Sequence, residues 1–597
     1  MRPGFIVTLN PNKTIDFQLV SPVESLIKVA LNSGIATVIL IGKIYYKNSF
    51  QASLTEQLKQ DLLSDADLIL ELFKQGGIEA LIQLEGEFSY VIIDHKKHRI
   101  LAYRDSLGTY PLYETCYQQK IIISSNLKLL AKSRNSIINQ EFIAAFLAFP
   151  FACVELPTEQ TAFQNIQRIL PGNLLEFSSD QTIKKLWSWD WNKTITPIEK
   201  ISPQAAGLRF REILEKAIQE RIKNYSFAAH LSGGMDSSSI VCLARNLDKN
   251  SPLLTLSLVY QMASLVKETD YINLILQQNK GVVPNYIQGD QALDFQWFQD
   301  QIPDHDEPYS GLFHFALEKA LINVASPLNI QTILSGNGAE MLVEGNHYYL
   351  ADLMRQGNWD LVCKQARQWA IAKHQNLGSV IWEWAIAPLT PPWLRQGIPT
   401  LLRGGYGVWP NLTEFAIAPW IKQEFAKEYG LWPQILAQID QLSQYPIEGA
   451  FNRLGRQAAV GNWANWYLAS PQGIQISYPF LDPRLISYSF SLPREIREVP
   501  GIAKPLLQEA MKGILPEAIR TRRIKASFNE VYGRGLRQNL TQLIEMVKQS
   551  SIDELEIFDK SLLIECMEQQ AMGLGNVHSG RQISTSLSLI VWFDQGS

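Results

Sequence analysis

At 597 residues the chain exceeds what one hydrophobic core usually organises, so two domains are expected. An apolar share of 46% against 19% charged suits a globular protein with large cores, and a formal charge of −4 gives no global pull toward nucleic acid or an acidic membrane. Five scattered cysteines without a CxxC pair argue against a disulfide framework or a structural zinc site.

In chain order, the first 190 or so residues read as a β-rich sandwich. GFIVTL, ATVILIG, SYVIID, RILAYR and KIIISS are β-branched runs separated by polar or glycine-containing turns, and one helical pattern, SDADLILELFKQ at 64–75, interrupts them. A polar, proline-bearing stretch at 192–204 is the candidate linker. Strands and helices then alternate: helix 205–222, strand 226–231, helix 237–247, strand 253–260, helix 268–278, strand 285–288, helix 312–324, strand 330–334. Such alternation implies right-handed crossovers and a parallel sheet, with ligands outside the carboxyl ends of its strands. Beyond Trp359 the pattern is mostly helical and rich in tryptophan, which packing explains as well as aromatic anchoring of a peptide. No secretory signal and no run of about 20 apolar residues is present, so a cytoplasmic chain without a membrane span is expected.

HLSGGMDSSS, residues 230–239, carries the strongest chemical signal. It falls where a buried strand gives way to a helix. Gly233 and Gly234 allow a tight turn that aims consecutive N–H groups at one spot, Ser232 and Ser237 add hydroxyls, and the helix dipole adds positive charge. Such a pocket suits pyrophosphate, and Asp236 suits the Mg²⁺ that neutralises it. The glycines and Asp-Ser-Ser alone would be explained by a turn and a helix cap.

SGGMDSS resembles the pyrophosphate loop of the N-type ATP pyrophosphatases, and neighbouring segments resemble the asparagine synthetase superfamily. SGNGAEM (335–341) corresponds to the family's second loop and PFLD within 473–485 to a family segment. AKPLLQEAMKGILPEAIRTRRIKASF (503–528) corresponds to its C-terminal pattern. EGEFSYVIID, YRDSLGTYPLYE and ISSNLKLLA resemble its glutaminase domain. The resemblance implies an inactive glutaminase-like, Ntn-type β-sandwich over 1–192. An α/β synthetase domain of the pyrophosphatase type, with a parallel sheet and a helical C-terminal part, would fill 205–597. It also implies nucleotide contacts from Leu231, Ser232, Gly233, Gly234, Asp236, Ser237, Leu258, Ser335 and Gly336, and Mg²⁺ held by Asp236 and Glu340. Lys525 aligns with the lysine that offsets transition-state charge in the family. Asp306 and Pro308 resemble a D-x-P loop near the acyl site. His305, His314 and His347 lack ligand spacing and read as structural.

Three departures narrow the function. Met1-Arg2 stands where relatives expose a nucleophilic cysteine, and Ile41-Gly42-Lys43 replaces the glutamine-binding NGE, so no glutaminase activity is expected. Asn337 is neither the glutamate of asparagine synthetases nor the tyrosine of the β-lactam-forming relative. Glu340 and Met341 replace acidic neighbours in the second loop. The pattern is most similar to the lasso-peptide cyclases. This resemblance implies ATP and Mg²⁺ as cofactors, a precursor peptide as substrate and a leader peptidase as a partner. An ammonia-dependent synthetase acting on a small acid and a nucleotide-binding pseudoenzyme are the alternatives.

Overall fold

The computed structural model describes residues 2–596 apart from 22, 24, 33, 48–49, 51–63, 150–154, 224, 262–267, 299–300, 345, 391–416, 443, 523–528 and 576. Its first half is built on two antiparallel sheets. Their strands are β1 (Gly4–Leu9), β2 (Ile15–Val20), β3 (Ile27–Asn32), β4 (Ala36–Tyr45), β5 (Glu85–Asp94), β6 (Arg99–Arg104), β7 (Tyr113–Tyr117), β8 (Lys120–Ser124), β9 (Gln167–Arg168), β10 (Asn173–Ser178) and β11 (Ile183–Ser188). One sheet runs β2-β1-β8-β7-β9 and the other β11-β10-β6-β5-β4-β3.

Side-chain alternation separates the two faces of the second sheet. Ile39, Ile41, Val91 and Ile93 meet Phe5, Val7, Ile121 and Ile123 of the first sheet. Val38, Leu40, Tyr90 and Ile92 turn the other way, onto helix α1 (Asp65–Leu81). Both faces of β4 are therefore covered, which is why its run is apolar without alternation. The helix expected at 64–75 starts where its cap indicates, with Ser64 accepting the Asp67 N–H, and continues past a kink at Gly77 (φ 58°).

The second half carries a wholly parallel sheet: β12 (Phe227–His230), β13 (Leu253–Val259), β14 (Val282–Gln288), β15 (Thr332–Leu334) and β16 (Gln475–Ser477), ordered β14-β13-β12-β15-β16. Its helices include α2 (Pro203–Ile222, capped by Ser202), α3 (Met235–Leu247), α4 (Glu268–Gln278), α5 (Phe315–Ala325), α6 (Ala339–Val343) and, toward the C-terminus, α7 (Asn529–Gln549). Alternate residues again divide the faces. Ala229, Leu253 and Leu334 pack with α2, α3 and α4, whereas Ala228, Leu256, Ile333 and Ile476 join α5, α7 and the core of the first half.

Three local expectations need correction. The helix placed at 312–324 opens with a 3₁₀ turn, Leu312–His314, before α5 begins. The stretch at 192–204 is not wholly a linker, since Trp191–Thr194 is one helical turn and Pro203 already starts α2. The fifth strand, β16, was not anticipated. It is only three residues long, and nothing local distinguishes so short a buried run from the helical segments before it.

Candidate active site

β12 ends at His230 beneath the chain's centre of chemistry. Burial lowers the pKa of its imidazole to about 4, so it supports the turn as a neutral ring. The turn then folds on itself. Ser237 Oγ accepts the Ser232 N–H at 3.1 Å and lies 3.0 Å from Ser232 Oγ. Gly233 sits at φ +76°, and a Cβ there would come 2.8 Å from the Glu268 carbonyl oxygen. Glycine is required on both counts. No side chain caps α3, so its first-turn N–H groups remain available to an anion.

The second loop lies directly against this turn. A Cβ at Gly336 would stand 2.7 Å from Ser237 N, so the two backbones touch only because residue 336 is glycine. Ser335 N–H bonds the Ser477 carbonyl at 3.0 Å, tying the loop to β16. Gly338 (φ +87°) faces Leu481 of the PFLD segment. Asn337 is exposed, and its side chain meets the Tyr478 hydroxyl, which also donates to Asn462 Oδ1 at 3.0 Å. Met341 packs on Gly455, so the residue in place of an acidic neighbour contributes packing.

Lys504 is the site residue that sequence reasoning missed. Its Nζ bonds Asp236 Oδ2 at 2.6 Å and lies 3.2 Å from Glu344 Oε1. Burial opposes its charge, but Asp236, Glu344 and Glu340 outweigh that and raise its pKa above the ordinary lysine value. The signal was present: Lys504 opens the C-terminal segment whose pattern was recognised. Nearby, Arg522 grips Glu268 through two bonds of 2.7 and 2.8 Å, beside Gly233. Leu231 is buried and Leu258 half-buried near the ends of their strands. Thus Ser232, Gly233, Gly234, Asp236, Ser237, Ser335 and Gly336 converge, with Asn337 and Glu340 on the same second loop. Lys525 lies outside the described residues.

Where the first half meets the sheet, polar groups are buried and paired. Glu87 accepts from Arg221 Nε (3.1 Å), Ser477 Oγ (2.6 Å) and Gln475 Nε2 (2.6 Å). Arg221 also reaches Asp482 at 3.0 Å, so the PFLD aspartate serves this interface. Lys43 donates to Thr332 Oγ1 at 2.9 Å and lies 3.4 Å over the Tyr225 ring, with burial pulling its pKa down to about 7. Asp306, expected near the acyl site, is instead fully buried against Arg2 (2.6 Å), the Lys128 N–H (3.1 Å) and Tyr467. Its place in the D-x-P loop is therefore structural.

Residues 29–188 match the glutamine amidotransferase domain family, and residues 209–438 and 467–594 match asparagine synthase. The chain belongs to the asparagine synthase family. Its members use ATP, and membership makes this chain an ATP-dependent amide-forming ligase with an Ntn-type amidotransferase half in front. Glutamine-hydrolyzing asparagine synthetase 1 of Bacillus subtilis is 22% identical over 89% of this chain and 80% of that protein. Asparagine synthetase 3 of the same organism is 21% identical over 94% of the chain and 87% of its own length. Amidase chry2 of Gibberella zeae is 27% identical, but over only 36% of this asparagine synthase-family chain and 31% of the amidase. Among the described residues, no helix is long and apolar enough to cross a membrane.

Proposed function

We propose that this ligase is a peptide cyclase, joining the N-terminal amine of a precursor peptide to an Asp or Glu side chain of the same peptide as a macrolactam. ATP would activate the carboxylate as an acyl-adenylate, leaving pyrophosphate and then AMP. A leader peptidase would supply the trimmed peptide.

The residues present fit Mg·ATP. Two glycines whose Cβ atoms would collide with backbone keep the loops open to a pyrophosphate, and two carboxylates and a lysine surround the helix N-terminus. Asp236 and Glu340 would hold Mg²⁺, which neutralises phosphate charge, with phosphate oxygens completing a coordination shell that two carboxylates leave open. Ser232, Gly233, Gly234 and Ser237 would cradle pyrophosphate, while Leu231, Leu258, Ser335 and Gly336 would line the nucleotide. Lys504, released from Asp236 when Mg²⁺ binds there, would turn to the phosphates. Asn337 would face the acyl group, and Lys525 would offset charge developing on the acyl oxygen.

The observation that carries this reading is Lys43. It stands where relatives bind glutamine, and it is turned into the interface and bonded to Thr332 of the synthetase sheet. An amine delivered from solvent with the acyl donor suits that arrangement better than ammonia released in the first half. The names of the relatives favour one competing reading, a small carboxylic acid amidated with ammonia.

The test uses the whole protein with Mg·ATP and a linear peptide carrying a free N-terminus and one Asp or Glu. Peptide-dependent AMP and a product lighter by one water are expected. AMP formed with aspartate and ammonium but never with peptide would replace the cyclase by the small-acid reading.

A further inference from the structure

β15 and β16 leave the parallel sheet side by side, since Leu334 pairs with Ser477 and the Ser335 N–H bonds the Ser477 carbonyl at 3.0 Å. The residues that follow, Gly336 and Asn337 on one strand and Tyr478 on the other, come together at the carboxyl edge. Sheets of this kind bind ligands there. Gly336 touches the phosphate turn at Ser237 N, so Asn337 stands one residue away from that turn.

The direction of every hydrogen bond around Tyr478 is set by backbone groups. β16 is the outer strand of its sheet, and two side-chain amides cover its free edge. Asn462 Nδ2 donates to the Ile476 carbonyl at 3.2 Å, and the Ile476 N–H donates to Asn465 Oδ1 at 2.8 Å. Asn462 Oδ1 accepts the Asn465 N–H at 2.9 Å. A carbonyl can only accept and an N–H only donate, so the Asn462 amide has a single orientation, with its oxygen toward Tyr478. The phenol must then give its one proton to Asn462 Oδ1, 3.0 Å away. Burial raises the Tyr478 pKa above the ordinary tyrosine value, so that proton stays in place. An oxygen whose proton is committed can only accept, so Asn337 meets it with Nδ2–H. Consistent with that direction, the Asn337 bond pulls the Tyr478 pKa down against burial. Asn337 Oδ1 is thereby turned away from the phenol, on an exposed residue.

An outward acceptor is selective among the reactants. The carbonyl and phosphate oxygens of an acyl-adenylate carry lone pairs and no proton, so an acceptor has nothing to bind on them. The incoming amine is the reactant that brings N–H. We infer that Tyr478, held by Asn462, is a positioning residue that turns Asn337 Oδ1 to an N–H of the attacking amine. The inference rests on the acyl-adenylate reading above and not on which amine attacks. One N–H held on Oδ1 aims the nitrogen lone pair at the acyl carbon. The C–N bond forms, the acyl C–O bond breaks with its electron pair leaving on AMP, and the surplus proton on nitrogen passes to water.

Product per AMP reports this positioning, because an acyl-adenylate that meets no amine is lost to water. In Tyr478→Phe, with Mg·ATP and the linear peptide, pyrophosphate release should stay within about threefold of wild type while macrolactam per AMP falls about tenfold. Hydroxylamine at saturating concentration should still capture the adenylate as hydroxamate, since concentration replaces positioning. A double-mutant cycle separates orientation from packing. Asn337→Asp presents two acceptor oxygens and sets one of them against the phenol oxygen. Adding Tyr478→Phe removes that clash and should raise macrolactam per AMP about threefold or more above Asn337→Asp alone. A double variant no better than Asn337→Asp, an unchanged ratio in Tyr478→Phe, or pyrophosphate release falling in parallel with product would overturn the assignment. If wild type ignores the peptide but accepts aspartate and ammonium, the cyclase reading falls and the same ratio, scored as amide per AMP, decides the positioning.

Discussion

The two halves treat buried polar groups in opposite ways. In the synthetase half, Asp236 and Asn337 are partnered but partly accessible on the two loops, with Lys504 buried behind Asp236. In the amidotransferase half, Arg2, Lys43 and Glu87 face the seam with the parallel sheet, where Asp306, Thr332 and Arg221 meet them. A buried ion pair repays its desolvation only when every lone pair and proton is met, so such a seam records a surface given over to assembly. Charge left half-open on a rigid edge is instead available for chemistry.

Breaking the open side should cost most. Asp236→Asn should reduce pyrophosphate release about 1000-fold or more, because phosphate charge goes unneutralised and Lys504 keeps only Glu344 as a paired carboxylate; release at the wild-type rate would remove the phosphate-loop assignment. Lys504→Met should slow adenylation by about 10²–10³ while ATP affinity, read by calorimetry, changes less than about tenfold.

On the closed side the currency is stability. Arg221→Ala leaves Glu87 and Asp482 buried without their cation and should destabilise the protein by about 3–5 kcal/mol in a denaturant titration. Lys43 gives a smaller, pH-dependent effect. Its pKa drops from 10.5 to about 7 on folding, so between those values the unfolded chain holds a proton that the folded one has lost, and stability rises with pH across that window. Lys43→Met should melt higher than wild type near pH 7 and lose that rise; a parallel pH profile in both proteins would show the lysine to be solvated. Glutamine, finally, should yield no glutamate at all, and catalytic release would return hydrolytic function to the first half.

The sequence made one side of this contrast far more legible than the other. Period-two runs and strand–helix alternation disclosed both architectures, and the glycines of the two loops proved to be places where a side chain would strike backbone. Those signals are local. Asp306 and Asp482, both within recognised segments, turned out to serve the seam, because which partner a carboxylate meets 250 or 300 positions away is fixed by packing, as the Arg221–Asp482 and Arg2–Asp306 separations of 261 and 304 show.

β16 gives the amidotransferase half a structural task that is separate from any chemistry of its own. The strand pairs with β15 across an intervening stretch of more than a hundred residues, and it presents Gln475 and Ser477 to Glu87. Closing so long a loop for three residues of pairing is entropically poor and slow. During synthesis, however, the N-terminal half emerges first and folds as a unit. By the time β16 leaves the ribosome, the Glu87 surface is already there to receive it, so the first half acts as a built-in template for completing the parallel sheet.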